Sequence, residues 1–300
     1  MKKFSLIAAA ICVVLCLTVI NAPAQQKTVK AEDATGLLYK ISGKDLKKPS
    51  YLFGTIHIVC PNDMFSMEKI SGYLDQTDQL IMELDMDNAQ EIQAMSGGMI
   101  FSDGKTIKDY LTAEQYTKVD EMFKNHLGIS VDNVKTFKPF MLQMLVSTNP
   151  KTLGCSPPAS YEGSLVQAAT ARKKAVEGLE TAASQFEVMN KTPLEKQAKQ
   201  LYEMALNPQK SFDQFKNLQA AYKSQNSDSL YNYMNSQMSS DREFQTALLD
   251  ERNKAWLPKI EKAIAEKPAF IAIGGGHLGG KSGVISLLRA KGYKIEAIKL

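Results

Sequence analysis

Two of the three histidines close matching four-residue units at opposite ends of the chain, Gly54-Thr55-Ile56-His57 and Gly274-Gly275-Gly276-His277. An imidazole titrates near neutral pH and is the commonest protein ligand of divalent metals. Two of them with one carboxylate make the donor set of a catalytic divalent site that keeps a coordination position open. Glu83 is the best carboxylate, with Asp85 and Asp87 behind it, because it also leaves a short apolar run. Glu180 leaves another such run and Glu162 heads a helix; an acid near the ion but not bound to it can accept a proton from water. Arg252-Asn253 adds a planar guanidinium suited to a developing oxyanion or a substrate carboxylate. Two plainer readings stand beside these: core imidazoles bonded to backbone, and, since Glu251 and Lys254 flank Arg252, a solvated helix face.

The elements that must position these groups are legible around them. Tyr51-Leu52-Phe53 precedes the first histidine unit and Phe270-Ile271-Ala272-Ile273 the second, both reading as buried strands. Glycine at a strand exit lets the backbone turn sharply, aiming a histidine three residues later at the sheet edge. Gly54, Gly274 and Asn253 are therefore the positions expected to line the substrate. Residues 37–41 and 50–53 read as a hairpin, 79–85 and 175–178 as further strands, and 293–298 as the last. Helices are expected at 66–76, through most of 88–149 (Thr112 capping one of them), at 160–172 and at 283–291. Thr192-Pro193-Leu194-Glu195 reads as a helix start with Thr192 at the cap, opening an all-helical subdomain over about 192–265 whose Tyr222, Tyr231, Tyr233, Met234 and Met238 fill its core or line a groove. His126, in the last turn of a helix, reads as structural. The expected fold is α/β (α+β): a mixed central β-sheet flanked by helices, with the helical subdomain inserted before a C-terminal strand-helix-strand unit.

Gly274-x-Gly276-x-x-Gly279, between a strand and a helix, also matches a dinucleotide fingerprint. That reading is set aside, because such a cofactor lies across more strands than the single one that follows.

Residues 1–24 read as an export signal: Lys2 and Lys3, an apolar stretch from Ile7 to Ile20, then Ala22-Pro23-Ala24. Residues 25–35 read as a flexible lead-in and 36–300 as the folded domain. Losing two lysines and no acid lowers the formal charge from +4 to +2. Without a basic stripe, this argues against nucleic acid as the partner; membrane contact is expected only through the signal before cleavage. Cys60 and Cys155 remain, and an oxidising compartment lets them pair; the alternatives are an unbonded pair, or Cys60 as a thiolate metal ligand near His57.

Taken in order, Tyr51-Leu52-Phe53-Gly54-Thr55-Ile56-His57, Glu83-Leu84-Asp85, Gly178-Leu179-Glu180-Thr181, Arg252-Asn253 and Gly274-Gly275-Gly276-His277-Leu278 resemble the TraB/PrgY/GumN family, whose animal relatives are the TIKI proteins. The resemblance spans nearly all of the chain after Leu37. It implies an α/β core and, by analogy with the TIKI-type members, a metal-dependent protease whose ion (manganese, cobalt or zinc) sits on His57, His277 and Glu83. This chain departs from the family at Ser160-Tyr161-Glu162, where the acid is kept but a frequent glycine is not. The expected activity is peptide-bond hydrolysis by an exported, periplasmic or secreted protein, with Glu180 or Glu162 moving the proton and Arg252 holding the oxyanion. Two other functions remain in view: a binder that sequesters a peptide, another small molecule or haem in the same cleft, and a metal-free esterase using His57 as general base.

Overall fold

The computed structural model describes residues 35–238 and 241–300. The expected signal at 1–24 and the lead-in up to residue 34 lie outside the described residues. Strand β1 (Leu38–Ser42) and β2 (Ser50–Thr55) form the expected antiparallel hairpin, with Leu38 opposite Phe53. Its turn places Gly43, Lys44 and Asp45 successively at positive φ. Helix α1 (Met67–Leu74) follows, capped by the Ser66 hydroxyl, and then β3 (Gln79–Met82). Helices α2 (Ala89–Gly98), α3 (Ala113–Leu127), α4 (Pro139–Ser147) and the short α5 (Pro150–Leu153) come next. Thr112 caps α3 through a reciprocal bond with Gln115, and Gly128 ends it in the left-handed conformation. Helix α6 (Tyr161–Ala171) leads to β4 (Ala175–Gly178).

The remaining helices are α7 (Ala182–Asn190), α8 (Leu194–Leu206), α9 (Pro208–Lys223), α10 (Ser227–Gln237), the short α11 (Arg242–Gln245) and α12 (Arg252–Glu266). Strand β5 (Ala269–Gly274), α13 (Val284–Ala290) and β6 (Lys294–Ile298) close the chain. Thr192 does not cap α8: Pro193 holds the cap position without a side-chain bond, and the Thr192 carbonyl accepts instead from Gln197. The expected start was one residue early because a proline at the cap satisfies the same φ restriction as one at the first helical position.

The sheet is mixed, in the order β4-β3-β5-β2-β1-β6. β4, β3, β5 and β2 run parallel, β1 pairs antiparallel with both β2 and β6, and β6 therefore runs with the parallel set. The closing strand-helix-strand unit is parallel as expected, but its crossover passes over β2 and β1 rather than joining neighbours. All residues of β2 and β3 are buried, which is what continuous apolar runs mean in a sheet covered on both faces. β4 is short and largely exposed, a blunted edge.

Two apolar cores divide the helices. The larger joins the sheet to α1, α6, α12 and α13, and takes in Tyr222 and Leu230 from α9 and α10. The smaller packs Val119, Met122 and Phe123 of α3 and Leu142 of α4 against Ala198 and Leu201 of α8. Helices after residue 192 are thus shared between both cores and do not pack only among themselves. His126 packs edge-on against Phe212, ring centroids 5.0 Å apart, in the structural role expected of it.

Cys60 and Cys155 are bonded, 95 positions apart in sequence, so Cys60 is not a thiolate ligand. The bridge ties the loop after His57 to the segment before α6, alongside an isolated pairing of Val59 with Ala159. A loop this long loses much chain entropy when closed. Replacing both cysteines with alanine is expected to lower the unfolding free energy by about 2–5 kcal/mol, read as a drop in the urea midpoint, with a steeper slope as the released chain expands.

Candidate active site at the carboxyl edge of the sheet

The parallel strands deliver the site. Thr55, Met82 and Gly274, at the ends of β2, β3 and β5, line one cavity of about 530 Å3 together with His57, Glu83, Glu162, Arg252 and His277. A crevice outside the carboxyl ends of parallel strands is where α/β sheets bind their ligands. Gly54 is buried beneath it: a Cβ there would lie 2.4 Å from Leu278 Cδ1 and 3.0 Å from Gly275 Cα, so glycine is what lets the two histidine loops touch. The Gly54 carbonyl accepts from the Tyr222 hydroxyl at 2.9 Å.

At the centre lies Arg252, with only 10% of its side chain exposed. Its guanidinium bonds Glu83 Oε2 at 2.6 Å, both carboxylate oxygens of Glu180, the Leu248 carbonyl at 3.0 Å, and approaches His277 Nε2 at 3.1 Å. It also sits 4.7 Å over the Trp256 ring, whose Nε1 donates to Glu180. The segment Thr246–Glu251, immediately before Arg252, is a wide π-helical turn, a local irregularity common at functional sites. The solvated-face reading of Arg252 is therefore overturned, since two carboxylates compensate its burial.

Glu83 accepts from the Gly274 amide at 2.7 Å and from Gln185 at 3.2 Å. Burial alone would raise its pKa, but the neighbouring His277, then Arg252 and His57, with the Gly274 amide, bring it down to about 2. His277 goes the other way: burial pushes its pKa down to about 3, against the attraction of Glu83, so the imidazole is neutral. Asn253 Oδ1 lies 2.7 Å from His277 Nδ1, which fixes the proton on Nδ1 and leaves the Nε2 lone pair facing Arg252 and Glu83.

His57 meets a different partner. Its Nδ1 lies 2.9 Å from Glu162 Oε1, and Glu162 also accepts from the Thr55 and Ser160 hydroxyls at 2.6 and 2.8 Å. The ring faces the cavity and is 68% accessible within it. The bond to Glu162 raises the His57 pKa to about 9, against the effect of burial. For Glu162 burial acts upward, and the His57 bond and charge with the two hydroxyls bring it to about 2.

Several expected roles change. Asn253 is fully buried, its amide donating to the Ser282 carbonyl at 3.0 Å, so it orients His277 and cannot line substrate. Gly54 is buried likewise, while Gly274 does line the cavity. Glu180 is the buried partner of Arg252 and also accepts from Trp256 and Gln185. Asp85 and Asp87 are outside the cavity lining. Sequence reasoning missed Trp256, Gln185 and the pairing of His57 with Glu162. Only Trp256 carried a signal, standing one helical turn beyond Arg252.

The side chains fit a divalent ion in kind. Both imidazoles have Nδ1 held by an acceptor, as metal-binding histidines do, and Glu83 Oε1 lies 3.9 Å from His277 Nε2, a gap that two bonds of about 2.1 Å can span. Among the described residues no three His, Cys, Asp or Glu side chains stand grouped for a metal as they are. The guanidinium, in contact with both Glu83 and His277, occupies the space between those two donors.

Fold and site together define an α/β protein with a buried arginine-carboxylate-histidine cluster at a strand-end cleft. The model of the TraB/PrgY/gumN family matches residues 37–297, and the chain belongs to that family. No curated protein and no solved structure matches the sequence.

Arg252→Met would leave Glu83 and Glu180 buried with uncompensated charge, and is expected to cost about 3–5 kcal/mol of stability in chemical denaturation. The His57–Glu162 pair sets a pH window. With the His57 pKa raised to about 9, its contribution is full below about 6.5 and fades as pH rises through 9. With the Glu162 pKa lowered to about 2, its share is full above about 4.5 and fades as pH falls through 2. Denaturation midpoints measured with chelator present should therefore decline above about pH 6.5, a slope that Glu162→Gln should flatten, and decline on the acid side as well, where His277 and Glu83, held at about 3 and 2, add losses of their own.

Proposed function

We propose that this cleft is the active centre of a hydrolase, and that His57, His277 and Glu83 hold a divalent ion there, manganese, cobalt or zinc. The observation that carries the reading is the shared arrangement of the two imidazoles. Each has its Nδ1 pinned, by Glu162 at 2.9 Å and by Asn253 at 2.7 Å, and each lines the same cavity as Glu83. Such an ion would supply Lewis acidity toward a carbonyl and make water acidic enough to attack at neutral pH.

The chain's own groups divide the remaining work. Asn253 keeps the His277 ring in one tautomer, and Trp256 packs on that ring with centroids 4.5 Å apart. Glu162 orients His57 by accepting a hydrogen bond from its Nδ1–H, as carboxylates do for metal-binding imidazoles. Arg252 is anchored from behind by Glu180 and the Leu248 carbonyl, and the N–H groups that reach Glu83 and His277 are the ones that would turn to an oxyanion or the carboxylate of the product. Export, periplasmic or secreted, belongs to the same proposal: the Cys60–Cys155 bridge is at home in an oxidising compartment.

The test is metal-binding calorimetry with manganese, cobalt and zinc, paired with hydrolysis of a fluorogenic peptide and an activated ester. The expected result is one ion per chain, affinity weakened by about 10–100-fold in Asn253→Ala and abolished in His277→Ala, with turnover lost in His57→Ala. Equal metal affinity in all variants, or turnover that survives both exhaustive chelation and His57→Ala, would overturn the proposal. A ligand recovered unchanged after incubation would move the cleft to the class of binding proteins.

A further inference from the structure

The cavity is lined by two chemically distinct sets of side chains. Eight of the chain's 14 methionines line it, among them Met95, Met99, Met141, Met144, Met189 and Met234, with Phe140 and Phe186 beside them. They come from α2 and the residue after it, α4, α7 and α10, helices that roof the strand ends. Methionine is unbranched and polarizable, and a wall made of it fits a flexible guest in more than one conformation. A site built for one rigid ring or one fixed side chain would not need so adaptable a wall.

The polar side chains along the cavity are already occupied. Thr55 and Ser160 bond Glu162, Gln185 bonds Glu83 and Glu180, and Tyr222 bonds the Gly54 carbonyl. A peptide threaded into this space would bury an N–H and a C=O for every residue with no side chain left to pair them, each at substantial cost. An unbranched hydrocarbon carries no such groups. Its carbonyl would stop where the apolar wall ends, beside Arg252, His57 and His277.

We infer that the methionine-walled part of the cavity takes an aliphatic acyl chain, and that the substrate is an acyl ester or amide presented by its carbonyl to the polar end. The inference deepens the hydrolase reading and rests on it for the reaction, though not for binding. In that reaction the oxygen of water bonds to the acyl carbon, the bond from that carbon to the leaving alcohol or amine breaks, and a proton from water ends on the leaving group. No oxidant or second substrate is needed. The released fatty carboxylate would face the Arg252 guanidinium.

Two measurements separate this inference from the reaction. In metal-free protein, saturated fatty acids from four to fourteen carbons are titrated as competitors of a fluorescent fatty acid. Each buried methylene should tighten binding about fourfold, up to a length at which the gain stops. Met141→Trp and Met144→Trp should bring that plateau to shorter chains; the wild-type series holds the test even if either variant fails to fold. Nitrophenyl esters of the same acids, assayed with metal, should show kcat/KM rising with the same slope to the same length. Length-dependent binding without ester cleavage would leave the acyl site standing and remove the hydrolase. Cleavage or binding indifferent to chain length, or an apolar heptapeptide competing as well as dodecanoate, would overturn the acyl inference and leave the hydrolase untouched.

Discussion

A buried guanidinium holds the centre of this molecule together. Arg252 joins the ends of elements that are far apart in sequence: Glu83 after β3, Glu180 after β4, His277 after β5 and the π-helical turn that precedes α12. A charge taken this far out of water is tolerable only when its partners are close and well aimed. Two carboxylates for one guanidinium leave the cluster with an excess of negative charge, and that excess is what favours a second cation nearby. The protonated His57 supplies part of the compensation, since Glu83 adds to Glu162 in raising its pKa.

The sheet itself was readable from the chain because burial on both faces writes strands as continuous apolar runs. Tyr51-Leu52-Phe53 and Phe270-Ile271-Ala272-Ile273 became neighbouring parallel strands, with Leu52 opposite Ile271. The two glycine-histidine units, Glu83 and Arg252 could be nominated because each stands at an element end, where backbone turns aim side chains at an edge. Partner choice was not readable. Nothing in the spacing tells that His57 takes Glu162 rather than Glu83, or that Asn253 turns inward to His277 and away from substrate, because both depend on how α6 and α12 dock against the sheet. The methionine wall was invisible for a similar reason. Met95, Met99, Met141 and Met144 sit on helices whose periodicity marks an apolar face without saying whether that face meets a core or a space.

Separation of the helices between two cores explains why a space exists at all. α3, α4 and α8 satisfy one another in the smaller core, while α12 and the sheet satisfy one another in the larger. Residues on the inner sides of α4 and α7 then face neither core completely, and the cavity opens between the two. Exposed apolar surface on this scale would be costly if it met bulk water. Gathered over the strand ends, it instead sets apolar side chains directly beside the charged groups of the site.

One sequence unit delivers two imidazoles with opposite proton affinities, and the cause lies wholly in what each ring meets. His277 is 5% exposed and tied to a neutral amide; burial removes water without adding a compensating charge at Nδ1, so the ring stays neutral with its lone pair inward. His57 faces the cavity and is tied to a carboxylate that two hydroxyls keep ionised, so the ring holds its proton well past neutrality. A pair set apart in this way has one member ready to give electrons and one ready to give a proton, and separated affinities of that kind are how neighbouring titratable groups divide acid and base roles.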